Sequence, residues 1–243
     1  MQKPAYLTIS VDDGFPLDRR VAEMLDRHGL KATFYVPAAN PEHEVMTKEQ
    51  VREVSRRFEI GGHTYHHIPL ASLPDDQARA EIVDGKRWLE DVIGQPARAF
   101  CYPQGKFTSR TAELVKEAGF AGGRTCFFNR SDMPRDPYRC GVSTHAYNHS
   151  IMIQVRHALL EANFKGAVDF FRVHKAAQDW ELHFQRAVAA VERQGGVAHL
   201  YFHSWEIDEQ RDWDKLERVL QHVAGRKQLT RVTNGELFAL CHS

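Results

Sequence analysis

Short apolar, β-branched runs alternate with amphipathic stretches of helical period along nearly the whole chain. This alternation limits the possible folds more than any other feature. Residues 6–11 (YLTISV) read as a buried strand. Residues 17–28 read as a helix, with Val21, Met24 and Leu25 on one face and Gly29 as its stop. Residues 32–36 (ATFYV) make the next strand, and 47–57 a helix with Thr47 as N-cap ahead of Glu49 and Gln50. A short strand, 59–63, ends in a histidine. The order then repeats: helix 75–93 closed by Gly94, strand 97–102, helix 109–118 closed by Gly119, and strands 122–127 and 139–143. Helix 180–193, stopped by Gly195 and Gly196, precedes strand 197–203, helix 213–223, strand 230–232 and a terminal helix. Strands alternating with helices imply a parallel sheet covered on its faces. Seven or eight such units predict an α/β fold, a closed or nearly closed barrel that forms a single domain over 1–243. Residues 148–178 fit the alternation poorly and are expected to form a helical insertion beside the barrel.

Composition narrows the partners. The chain has 243 residues, 42% hydrophobic and 26% charged, enough to form a core without disulfide staples. Lysine plus arginine and aspartate plus glutamate number 32 each, with no long run of one sign. Nucleic acid and anionic membrane are therefore not expected as main partners. No stretch is apolar enough for a membrane helix or a signal-peptide core, so a cytoplasmic location is expected. The four cysteines form no CxxC pair and read as free thiols.

Three groups of polar residues stand where strands should end. Asp12 and Asp13 follow the first strand and precede Gly14. Carboxylates there are costly unless paired or bound to a cation. If one binds a metal, its neighbour can act as a base. Asp-Asp-Gly is also an ordinary turn composition. His63 and His67 are four apart, so one helical turn or a tight loop can aim both at one ion of the zinc type. Surface histidines give the same spacing. His203 closes the strand 197–203, at the end where α/β barrels carry their chemistry, although a core histidine fits that place equally well.

In combination these segments resemble the polysaccharide deacetylase family, also called carbohydrate esterase family four or the NodB homology domain. SVDDG is similar to its first motif, HTYHH to its H-[ST]-x-x-H motif, FCYPQG to its third and LYFHS to its last. The resemblance implies a distorted (β/α) barrel of about seven strands and a metal-dependent hydrolase. Such an enzyme would remove an acyl group, N-acetyl first, from a carbohydrate, with a small molecule or oligosaccharide as substrate. It implies one divalent ion on Asp13, His63 and His67, zinc first, with cobalt, nickel or manganese as alternatives. It implies Asp12 as catalytic base and His203 as catalytic acid. The backbone amide of Gln104 would help hold the oxyanion, with Tyr102 in the same motif. Arg139 resembles an arginine that lines the site, and an ordinary salt bridge is its other reading. Trp205, with Glu206, would form a sugar-stacking wall, or else simply pack.

The chain departs from the family pattern twice. Many members carry an arginine at the position of Cys101, where it orients the base. The Asp-Trp of the fourth motif is missing between residues 124 and 132. The partners of Asp12 and His203 are thus unassigned by sequence. Other readings keep the fold but change the substrate to a cyclic amide or formyl group, replace the chemistry with that of a non-haem iron oxygenase, or leave a non-catalytic sugar-binding relative.

Overall fold

The computed structural model describes residues 3–160 and 162–241. The first strand, β1 (Ala5–Asp12), is buried on both faces, with Leu7, Ile9 and Val11 on one and Thr8 and Ser10 on the other. Helix α1 (Asp18–Arg27) returns the chain to β2 (Thr33–Val36). Helix α2 (Lys48–Ser55) starts with Thr47 and Gln50 in a reciprocal capping box and leads to β3 (Glu59–Gly62). Helix α3 (Asp75–Ile93) ends at Gly94 in the left-handed region and leads to β4 (Ala99–Cys101). Helix α4 (Ser109–Glu117) precedes β5 (Gly122–Arg124), and β6 (Thr144–His145) follows after a long connection. Two helices then fill the stretch expected as an insertion, α5 (Ile151–Leu160) and α6 (Phe164–Arg172). Helix α7 (Trp180–Gln194) feeds β7 (Gly196–His203), whose last residue opens α8 (Ser204–Glu209). Helix α9 (Trp213–Ala224), β8 (Thr230–Arg231) and α10 (Asn234–Leu240) complete the described chain.

All named strand pairs are parallel, in the order β5-β4-β3-β2-β1-β7-β6, and the sheet curls into a distorted (β/α) barrel. β8 pairs β1 at Tyr6 and Leu7, below the rungs Ser10 and Val11 that β2 uses. The core is the meeting of this sheet with the apolar stripes of its helices. Ile9, Val11, Leu200 and Phe202 from the strands lie with Val21, Leu25, Phe184 and Leu220 from the helices. Each such side chain stabilises the fold by roughly 1.5–3 kcal/mol when fully buried. No helix among the described residues is long and apolar enough to cross a membrane, and the four cysteines form no disulfide.

The strand expected at 139–143 is the one element that moves. Arg139 closes a one-turn 3-10 helix, and Cys140 makes an isolated bridge to Arg124. Val142 exchanges backbone hydrogen bonds with Phe127 and Arg130 instead of joining the sheet. Ser143 donates its backbone N–H to the His199 carbonyl of β7 at 3.0 Å, and the ladder with β7 runs from Thr144.

Parallel pairing brings all the C-terminal strand ends to one side. Asp12, Cys101, Arg124, His145 and His203 end β1, β4, β5, β6 and β7, and His63 directly follows β3. Asp12 and His203 occupy the same rung of the β1–β7 ladder, and Cys101 and Arg124 the same rung of β4–β5.

Candidate metal and proton-transfer site

Asp13 leaves β1 with φ of 76°, and Gly14 follows with φ of 63°. Two successive left-handed residues swing the chain off the strand and separate the directions of Asp12 and Asp13. Gly14 is required here because a Cβ would lie 2.8 Å from Val36 Cγ1. The histidine loop is bent in the same way, with Thr64 at φ 63° and His67 at φ 57°. Strained backbone of this kind persists where surrounding contacts enforce it. Here α3 enforces it. Glu81 accepts hydrogen bonds from the backbone N–H groups of Tyr65 (3.1 Å) and His66 (2.9 Å), and its other oxygen lies 2.7 Å from His66 Nδ1. His66 is thus tied to Glu81 and lies beside Tyr65, outside the cluster of Asp13, His63 and His67.

Asp13, His63 and His67 converge, all buried. Asp13 Oδ1 lies 3.5 Å from His63 Nε2 and 3.1 Å from His67 Nε2, yet accepts no hydrogen bond. His63 Nδ1 donates to the carbonyl of Cys101 at 2.9 Å, which leaves Nε2 as a lone pair facing Asp13. Burial lowers the pKa of His63 and keeps it neutral, the form that ligates metal. Asp13 Oδ2 accepts from the Trp205 indole N–H at 3.0 Å. Burial pushes the Asp13 carboxyl up, but His203 and the two facing imidazoles outweigh it and hold it well below its usual range. One anionic oxygen and two imidazole lone pairs around a shared, unbonded point suit a divalent cation. These residues form a group able to hold a metal ion.

Asp12 has a separate environment. Its Oδ2 accepts from the Arg124 guanidinium, which is fully buried, and Cys101 Sγ lies 3.7 Å away. Burial opposes ionisation of Asp12, and Arg124, His63 and His203 reverse that, so its pKa is lowered. Its Oδ1 is buried and accepts no hydrogen bond. The arginine missing at Cys101 is therefore supplied by the register partner of that residue on the next strand.

His203 Nε2 is 4.0 Å from both Asp12 Oδ2 and Asp13 Oδ2. Its Nδ1 donates to Glu206 Oε2 at 2.7 Å, one turn ahead on α8. Burial alone lowers the His203 pKa, but Asp13, Glu206 and Asp12 outweigh it and raise it to about 9. Glu206 also lies 2.7 Å from His145 Nε2, and the two imidazoles hold it below the usual carboxylate range against the opposing effect of burial. Glu206 is thus the carboxylate that the sequence left unassigned.

The other residues singled out from the sequence fall differently. Gln104 sits at φ 55° in the 3-10 turn Pro103–Gly105 directly after β4, with its side chain exposed and bonded to Lys106. Tyr102 is a core residue. Its ring stacks on Phe107, and its hydroxyl donates to the Tyr138 carbonyl at 3.1 Å. Arg139 is half-exposed and pairs with Asp136 (3.4 Å) and Ser109 (2.9 Å), the ordinary salt-bridge reading. Trp205 is partly buried, stacks on His43 with centroids 4.4 Å apart, and donates its indole N–H to Asp13. Arg124 and His145 were not picked out from the sequence. A lone basic residue at the end of a strand of two or three residues carries no periodic signal. Glu206 did have one, the i, i+3 spacing from His203 at a strand-to-helix junction.

Comparison with known proteins fits this arrangement. The polysaccharide deacetylase family profile matches residues 2–123, which include Asp12, Asp13, His63, His67 and the third motif. YxkH of Bacillus subtilis (strain 168), named for the same family, is 28% identical over 120 residues, 48% of this chain and 43% of that protein. The peptidoglycan-N-acetylglucosamine deacetylase of Bacillus cereus is 25% identical over 118 residues, 48% of this chain and 42% of that protein. The chain thus aligns with less than half the length of either relative. Among solved structures, a family 4 carbohydrate esterase from Streptomyces lividans in complex with acetate has the same fold, with a TM-score of 0.58 and 16% identity over 93% of this chain and 90% of that one. A chain with this barrel, this aspartate–histidine cluster and a profile match over its first half belongs to the polysaccharide deacetylase family.

Proposed function

We propose that the protein is a metal-dependent hydrolase that removes an acyl group, acetyl first, from the nitrogen of a carbohydrate substrate. The observation that carries this reading is the juxtaposition of a cation-shaped cluster with one carboxylate and one imidazole poised on a single rung. Asp13, His63 and His67 would hold a divalent ion, which would supply Lewis acidity for a carbonyl and for water. The protein's own groups do the rest. Asp12, kept ionised by Arg124, takes the proton of the attacking water through its unbonded Oδ1. His203 gives a proton to the departing nitrogen, which cannot leave as an amide anion. Glu206 sustains the protonated imidazole. The turn at Gln104 supplies a backbone amide toward the developing oxyanion. Zinc is the first assignment for the ion because the donors are two imidazoles and one carboxylate. Residues 1–243 act as one domain in this reading, since base and acid come from strands at opposite ends of the sequence.

The test is a substrate panel of N-acetylated chitooligosaccharides, O-acetylated sugars, formamides and cyclic imides, run with added zinc or cobalt and with acetate, formate and amine detection. Acetate and free amine in equal amounts support the proposal. Turnover confined to formamides or ring opening overturns the substrate class. Turnover that survives Asp12→Asn on every active substrate overturns the base.

A further inference from the structure

His145 ends β6 and is buried beside the acid without touching the metal cluster residues. Its Nε2 lies 2.7 Å from Glu206 Oε2, the same oxygen that His203 Nδ1 meets at 2.7 Å. Its Nδ1 lies 3.0 Å from His149 Nε2. The ring is stacked on Tyr201, its rung partner on β7, with centroids 4.4 Å apart and planes 13° from parallel. These contacts determine the protons. A carboxylate only accepts, so His145 must donate through Nε2. Burial lowers the His145 pKa and keeps the ring neutral, so Nδ1 accepts and His149 donates through its Nε2. His149, His145, Glu206 and His203 therefore form one directed series of hydrogen bonds.

We propose that His145, seated by His149 and Tyr201, is a positioning residue for the acid: it fixes Glu206 Oε2 against His203 Nδ1, so that His203 presents Nε2 to the reacting centre. Glu206 sits on the first turn of α8, and one imidazole alone would leave its carboxylate free to rotate. A second imidazole on the same oxygen removes that freedom. The inference rests on the reading of His203 as acid, and it predicts a defect limited to reactions that need one.

The experiment compares an N-acetylated chitooligosaccharide with an aryl acetate, whose phenolate leaves without a proton. His145→Phe keeps the stacking and removes both hydrogen bonds. It should lower kcat on the amide by roughly 10- to 100-fold, the usual scale for an outer bond to a functional histidine. KM, bound metal and aryl acetate turnover should stay as in the wild type. His145→Gln, which restores an N–H donor, should recover part of the loss. Long-range imidazole nitrogen–proton NMR spectra give a readout that needs no turnover: at alkaline pH, with the ring deprotonated to its neutral form, His203 should keep its remaining proton on Nδ1 in the wild type and become a mixture of tautomers in His145→Phe. Parallel loss on both substrates, or a wild-type His203 with a bare Nδ1, overturns the proposal. His203→Ala separates the two levels. If it too loses amide and ester equally, the acid reading itself fails. If it loses only the amide while His145→Phe loses neither, His145 alone is misassigned.

Discussion

Asp12 and Asp13 are adjacent and equally buried, and their partners alone give them different work. Arg124 saturates one oxygen of Asp12, while Trp205 holds one oxygen of Asp13 and leaves the other to two imidazoles. Removing one member of a buried ion pair strands the other charge, at a cost of about 3–5 kcal/mol. Arg124→Met should therefore shift urea unfolding by that amount. The double variant Asp12→Asn, Arg124→Met should regain most of the stability, because no charge is left uncompensated. A double variant as weak as the single one would mean that Arg124 acts through its packing on Tyr35 and Tyr201 instead. The sequence exposed both aspartates through their place after an apolar strand. It hid Arg124, because the contact spans more than a hundred residues and depends on which rungs face each other. Glu206 lay within reach, since its helical spacing from His203 is local.

At the scale of elements, the histidine loop is shaped by the helix beneath it. Gly85 in α3 lets that helix approach the loop backbone, and a Cβ there would fall 2.7 Å from Thr64 C and 2.8 Å from Thr64 O. Gly85→Ala gains roughly 1 kcal/mol of helix propensity but must push the loop outward. The expected result is zinc affinity reduced by roughly tenfold or more, measured by competition with a chromogenic chelator, without loss of helical circular dichroism. Unchanged affinity would show that the loop yields freely. Strands and helices with strong periodicity were legible throughout, down to the Thr47 cap and the Gly94 stop. The 139–143 stretch was not, because its composition suits a strand while its backbone partners are divided: Cys140 bonds to Gly123 of β5, Val142 to Phe127 and Arg130 in a loop, and Ser143 to His199 of β7. Arg139 and Tyr102 show a related limit, because sequence does not fix what a side chain bonds: Arg139 pairs with Asp136, the salt-bridge alternative, and the Tyr102 hydroxyl donates to the Tyr138 carbonyl.

For the whole molecule, two linkages follow. A ligand that binds only the folded state stabilises it by about 2.7 kcal/mol at a hundred times its Kd. Zinc added to the chelated protein should raise Tm, and Asp13→Ala should abolish the rise. The second linkage comes from buried histidines. Burial lowers His149 and His174 to about 4 and His199 to about 3, and it drives His183 well down. Unfolded histidines titrate near 6.5. Between about pH 6.5 and 4 only the unfolded chain takes up these protons, so stability is complete above that window and lost as pH falls through it. Denaturation midpoints at pH 7.5, 6 and 5 should decline in that order, and a flat series would mean that these rings admit protons while folded. The shared rung of Cys101 and Arg124 has a consequence of another kind. The guanidinium that serves Asp12 can be lodged on either of two neighbouring strands, so the sheet permits the job to be transposed sideways without moving the customer. Cys101→Arg combined with Arg124→Cys should restore turnover that Arg124→Cys alone destroys, and a lineage could pass between the two arrangements through a form that briefly carries both arginines.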